Sequence, residues 1–239
     1  MTQQQRRIIL IQYLLNESER YRDIDIPGDI AEQKKLFRSL MNVRTPKAIS
    51  DDFIRIQDEY LKGEIAEKGI TDADTLPFAE NKISLWQGDI TTLKCGAIVN
   101  AANSAMLGCF VPCHTCIDNA IHTFSGVELR LECAKIMEKQ DFAEQTGKAK
   151  ITKAYNLPCD YILHTVGPIV GGRLTEKHCT LLASCYNACL DLAKQSGIKS
   201  IAFPCISTGE FHFPNEKAAE IAINTVREKL KTSTVERVI

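Results

Sequence analysis

Between residues 108 and 122 the chain reads Gly108-Cys109-Phe110-Val111-Pro112-Cys113-His114-Thr115-Cys116-Ile117-Asp118-Asn119-Ala120-Ile121-His122. Thiolate and imidazole side chains select zinc, and one short loop carrying Cys109, His114 and Cys116 offers three soft or borderline ligands. Three protein ligands leave a fourth position open to water or substrate, as catalytic zinc requires, whereas structural zinc usually closes with four. Two other readings stand beside this one. Cys113 could complete a closed site, or Cys113 and Cys116 could form a C-x-x-C redox pair, although no thioredoxin-like context surrounds them. Asp118, at the start of a helix next to the loop, could cap that helix or position a reacting hydroxyl or water.

Three further segments carry ligand-binding chemistry. Gly88-Asp89-Ile90 puts a carboxylate at a strand end, where it can accept from an exocyclic amine; a turn or helix cap uses the same residues. Asn100-Ala101-Ala102-Asn103 brings small residues and amide side chains that suit sugar hydroxyls, and taken alone reads as a turn. Ile206-Ser207-Thr208-Gly209-Glu210-Phe211 leaves a strand and leads to a helix beginning near Pro214. Consecutive backbone N–H groups in such a loop can surround a phosphate, and an ordinary strand-to-helix turn is the alternative.

The elements that would hold these segments follow from periodicity. Up to about residue 80 the chain reads as helices with polar joints. Ser50 is an N-cap before the stripe Phe53, Ile56, Tyr60 and Leu61, and Asp29 with Glu32 marks another start before Leu36, Phe37 and Leu40. From about Ile83 short apolar runs alternate with helical periods. Strands are predicted over Ser84–Gln87, Ala97–Asn100, Ala149–Tyr155, Tyr161–Val166 and Ser200–Pro204. One helix presents Leu181, Cys185, Ala188, Cys189 and Leu192 on a face; another presents Ala218, Ile221, Ala222, Val226 and Leu230. Such alternation predicts an α/β sandwich, whose ligands sit beyond the carboxyl ends of strands.

The 239 residues suffice for a substantial core, and a formal net charge of −1 gives no global attraction to nucleic acid or anionic membrane. The apolar run Ile8–Leu15 is too short to span a bilayer and lacks a cleavage site. A soluble, cytoplasmic protein without nucleic-acid or membrane partners is expected. Of the ten cysteines, most fall at apolar positions of predicted elements and read as core.

Taken in order, Gly88-Asp89-Ile90, Asn100-Ala101-Ala102-Asn103, Asp118-Asn119-Ala120-Ile121-His122 and Ile206-Ser207-Thr208-Gly209 resemble the macrodomain family, which binds ADP-ribose. The cysteine loop before Asp118 resembles the zinc-dependent branch of that family, which hydrolyses ADP-ribosyl modifications. The resemblance implies a three-layer α/β/α sandwich with a mixed sheet over 81–239, preceded by a helical extension over 1–80, with the last strand and helix truncated at Ile239. It assigns Asp89 to adenine, Ile90 to the pyrophosphate and Asn103 to the distal ribose. Zinc falls to Cys109, His114 and Cys116, a catalytic role to Asp118 with Asn103, and the second phosphate loop to Ser207, Thr208, Gly209, Glu210 and Phe211. His212 stands where many relatives have glycine, a change expected to narrow that loop, and Gly96 replaces a common aspartate.

The implied function is zinc-dependent removal of ADP-ribose from mono-ADP-ribosylated protein. The alternative is a non-catalytic reader of ADP-ribose in which zinc only stiffens the loop; it predicts binding without turnover. A zinc-knuckle nucleic-acid module lacks a basic, aromatic-rich stripe.

Overall fold

A computed structural model describes residues 1–239. Three helices lead the chain: α1 (Gln3–Asn16), α2 (Ile30–Val43) and α3 (Asp51–Lys68). Each begins on a side-chain cap. Thr2 forms a capping box with Gln5, Asp29 accepts from the Glu32 amide, and Ser50 accepts from the Phe53 amide. Their apolar stripes meet in a core of Leu10, Ile11, Leu14, Phe37, Leu40, Phe53, Tyr60 and Leu61, to which Val127 of the following unit adds. Each such side chain contributes about 1.5–3 kcal/mol on full burial.

The α/β unit starts with a short parallel pair, β1 (Thr71–Asp72) with β2 (Leu93–Lys94). It continues through β3 (Ala97–Ala102), α4 (Ile117–Ser125), α5 (Val127–Gln140), β4 (Ala149–Lys153), β5 (Tyr161–Val166), α6 (Glu176–Gln195), β6 (Ser200–Ala202), α7 (Asn215–Leu230) and β7 (Arg237–Val238). The main sheet has the order β4-β5-β3-β6-β7, with β4 antiparallel to β5 and the other neighbours parallel.

Strand alternation divides the core in two. Ala97, Val99, Leu163 and Ile201 face α6 and α7, whereas Ile98, Ile162 and Ala202 face Ile121, Leu129 and Cys133 of α4 and α5. The sandwich is therefore three-layered, with the helical layer of α1–α3 stacked outside α4. Because β3, β5 and β6 run parallel, the loops after all three open at one end of the sheet.

Two expectations need correction. Ser84–Gln87 forms no strand: only Ile83 bridges Val238, with the Ser84 amide donating to the Val238 carbonyl. Beyond Ser84 the chain leaves the sheet edge, and Leu85 is exposed. On α6 the buried positions are Leu182, Cys185, Tyr186, Cys189, Leu190 and Ala193, one step round from the predicted stripe, because α6 packs against both the sheet and α7. Gly96 lies at the start of β3, away from the loop end. A Cβ there would sit 2.9 Å from the Ser200 carbonyl oxygen, so the missing side chain serves strand packing. No helix is long and apolar enough to cross a membrane.

Candidate functional site

At the open end of the sheet two cavities adjoin. One, of about 460 Å³, is lined by Asn103, Cys109, His114, Cys116, Asp118, Ser207, Gly209, Glu210 and Phe211 among others. The second, of about 450 Å³, is lined by Trp86, Asp89, Ile90, Ala120 and Phe203 among others. They share Thr115, Ile117, Pro204 and Cys205, and so form one elongated cleft with chemically different ends. Two further cavities of similar size, under α2–α3 and along α7, collect none of the chemistry singled out in the sequence beyond Cys113 and Thr208.

Asp118 stands at the first end. It is the second residue of α4, whose N-cap is Cys116, and no side chain caps that helix; the capping role for Asp118 is not realised. Its carboxylate instead accepts from the Asn100 amide at 2.8 Å and the Asn103 amide at 3.1 Å. Burial pushes its pKa up to about 6 against those two bonds. Asn103 also donates to the Gly108 carbonyl at 3.1 Å and accepts from the Ala105 amide, so it ties the end of β3, the cysteine loop and Asp118 together. Gly108 has φ +79°, and a Cβ there would sit 2.7 Å from the His122 ring; only glycine lets the loop depart at this point.

One donor set in the loop converges. The ligand atoms of Cys109, His114 and Cys116 lie within 4.8 Å of one another, so small side-chain movements bring all three to one zinc with bonds of about 2.0–2.3 Å. His114 Nδ1 is buried without a hydrogen-bond partner, while its Nε2 lies 3.5 Å from Glu210 Oε1. Burial raises the Cys116 thiol to about 11, so a metal is what would make it a thiolate at neutral pH. The residues fit zinc. Cys113 points elsewhere, its Sγ 3.2 Å from Ser39 Oγ, and so neither closes the set nor faces Cys116 across a redox pair.

A second triangle, His122, Cys133 and His164, lies wholly buried beneath Asp118. Asn100 donates to His164 Nδ1 at 3.1 Å, which leaves the proton on Nε2 to reach Thr152 Oγ1 at 2.9 Å. With both ring nitrogens engaged, His164 is a satisfied core histidine. Burial holds its pKa down at about 3 and lowers His122 well below the ordinary value. The 3.6 Å approach of His122 to Asp118 is thus no ion pair.

Asp89 marks the other end. It caps a 3-10 turn over Ile90–Thr92, with Oδ1 accepting from the Thr91 amide and hydroxyl, while Oδ2 accepts from Lys68 Nζ at 2.8 Å. Burial alone would raise its pKa, yet the bonds from Lys68 and Thr91 hold it below the ordinary value. The cap is therefore realised, and the same carboxylate lines the second cavity. The Lys68 contact, from the helical layer, left no mark in the local sequence.

The loop after β6 carries Ser207 at φ +66° with its Oγ buried and unpartnered at the cleft. Thr208 departs from expectation: its amide and hydroxyl both donate to the Cys205 carbonyl, and its side chain lines the groove along α7 instead. His212 takes φ +54°, the left-handed region that favours glycine, and points into solvent without narrowing the cleft.

A mixed-sheet α/β/α sandwich with this cleft beyond its strands is a macrodomain. A sequence model of the family described as Macro domain matches residues 99–222, and the chain belongs to that family. It is 57% identical to a Protein-ADP-ribose hydrolase of Treponema medium, over 100% of this chain and 94% of the relative. It is 48% identical to a Protein-ADP-ribose hydrolase of Staphylococcus aureus, over 92% of this chain and 85% of the relative. Among solved structures, a Trypanosoma brucei macrodomain in complex with ADP-ribose superposes with a TM-score of 0.64 at 31% identity, covering 84% of this chain and 87% of that one.

Proposed function

We propose that this chain is a hydrolase that releases ADP-ribose from mono-ADP-ribosylated protein, with zinc held by Cys109, His114 and Cys116. The observation that carries the reading is the convergence of those three donors on the cleft end that also holds the buried carboxylate of Asp118. The names of its relatives support the activity, and the ADP-ribose complex of the T. brucei macrodomain supports the ligand.

In this reading Asp89 accepts from the adenine amino group, Ile90 lies along the pyrophosphate, and the loop Ser207–Phe211 surrounds the second phosphate with backbone N–H groups of Ser207, Gly209, Glu210 and Phe211. The distal ribose and its protein linkage then reach Asn103 and Asp118. Asn100 and Asn103 fix the Asp118 carboxylate, which orients the attacking or reacting hydroxyl by a charge-assisted hydrogen bond. Bound zinc would supply Lewis-acid stabilisation of charge developing at the reacting oxygen.

The test incubates zinc-loaded protein with proteins ADP-ribosylated on different side chains and follows free ADP-ribose. Release from at least one linkage class is expected. Tight ADP-ribose binding with no release from any of them would overturn the hydrolase in favour of the reader.

A further inference from the structure

The cysteine loop has little structure of its own. Within residues 109–116 a single backbone hydrogen bond closes, from the His114 amide to the Val111 carbonyl. Its shape is imposed from outside, largely by α2. Arg38 donates through Nη2 to the His114 carbonyl at 2.9 Å, and through Nε and Nη2 to Asn119 Oδ1 at 3.1 and 2.8 Å. Asn119, fully buried, passes the grip on by donating to the carbonyls of Val111 at 2.9 Å and Cys109 at 3.5 Å.

One turn further along α2, Asn42 accepts from the Cys113 amide at 2.9 Å and donates to Thr123 Oγ1 at 2.9 Å. Arg38 and Asn42, spaced i and i+4, thus project from one face and pin the loop on both sides of Cys113. Arg130 closes the frame, donating to the Leu107 carbonyl just before the loop and to the Met41 and Asn42 carbonyls at the end of α2.

We infer that Arg38 and Asn42 are positioning residues of the metal site, so that these two side chains of α2 set the affinity with which Cys109, His114 and Cys116 hold zinc. The inference rests on those three residues being the ligands. Three donors on an otherwise unstructured loop must be ordered before a metal can join them, and that ordering is subtracted from binding. A planar guanidinium shared between a ligand's own carbonyl and Asn119 performs the ordering in advance. Losing such a support typically weakens metal binding by about 10–100-fold.

The experiment measures the zinc dissociation constant of the full chain by competition with a chromophoric chelator. Wild type is compared with Arg38→Met, Arg38→Lys and Arg6→Met, and each metal-free protein is checked by circular dichroism. Arg6 pairs with Glu59 between α1 and α3 and does not touch the loop, so Arg6→Met removes an arginine from the helical layer without releasing the clamp. The expected result is a dissociation constant raised about 10–100-fold in Arg38→Met, a smaller rise in Arg38→Lys, which keeps the charge but not the fork, and no change in Arg6→Met. Should Arg38→Met not fold, Arg38→Lys against Arg6→Met decides. An unchanged constant in the Arg38 variants, or an equal rise in Arg6→Met, overturns the clamp while leaving the ligands standing. A wild-type chain that takes up no zinc overturns both.

Discussion

A carboxylate held between two asparagine amides in a buried cleft is an expensive arrangement unless it is used. Asp118 is 4% exposed, carries a pKa raised to about 6, and spares no oxygen for capping α4. Its contribution is expected in the chemical step. Asp118→Asn, which preserves shape, should leave ADP-ribose affinity within a few-fold by calorimetry, yet lower single-turnover release by about 100-fold or more, the lower range for a lost acid–base group. Parallel losses of affinity and turnover would instead make Asp118 a scaffold residue. At the far end Asp89→Ala should weaken ADP-ribose by about 1–3 kcal/mol through the lost carboxylate acceptor. It also removes the cap of a 3-10 turn and frees Lys68, so the stability of the variant is measured beside its affinity. An unchanged affinity would leave Asp89 with its capping role alone.

At the scale of elements, the cysteine loop makes the clearest prediction. Elemental analysis should find about one zinc per chain in the wild type and in Cys113→Ala, and little in Cys109→Ala, His114→Ala or Cys116→Ala. Loss of zinc from Cys113→Ala would contradict the 3.2 Å contact that turns its sulfur toward Ser39. The convergence of Cys109, His114 and Cys116 was readable from sequence because the three donors fall within eight residues, and the caps at Ser50 and Asp29 lie beside the stripes they start. Strands β3, β4, β5 and β6 were legible because their branched and apolar runs are short and bounded. What escaped depended on distant partners. Arg38 meets Asn119 across 81 positions, and Lys68 meets Asp89 across 21, with nothing local to announce either. Ser84–Gln87 has a strand-like composition, but only its first residue and the preceding Ile83 find partners, at the edge formed by β7. α5 went unread because Val127, Leu129 and Cys133 are its only buried apolar residues and Arg130 is buried among them.

For the whole molecule, three layers and a helical cover meet at a buried polar centre whose protonation is linked to stability. His164, with a pKa held at about 3, and His122, shifted the same way, are neutral when folded and charge on unfolding below their ordinary value of 6.5. In that window the unfolded chain binds more protons, so stability falls as pH drops from about 6.5 toward 3. Asp118, raised to about 6, acts oppositely between about 6 and 3.8, and one carboxyl opposes two histidines. The thermal midpoint of metal-free protein should therefore decline between pH 6.5 and 4; a flat or rising midpoint would contradict that balance. The activity itself belongs to this scale too, since the loop after β6, the cysteine loop and the Asp118 carboxylate come from separate elements. The most direct measurement is single-turnover release of ADP-ribose from an ADP-ribosylated protein, run on zinc-loaded, chelated and zinc-restored samples of the same preparation, with ADP-ribose affinity recorded for each. Release should disappear on chelation, return with zinc, and leave affinity little changed; full release from verified zinc-free protein would contradict a zinc-dependent reaction.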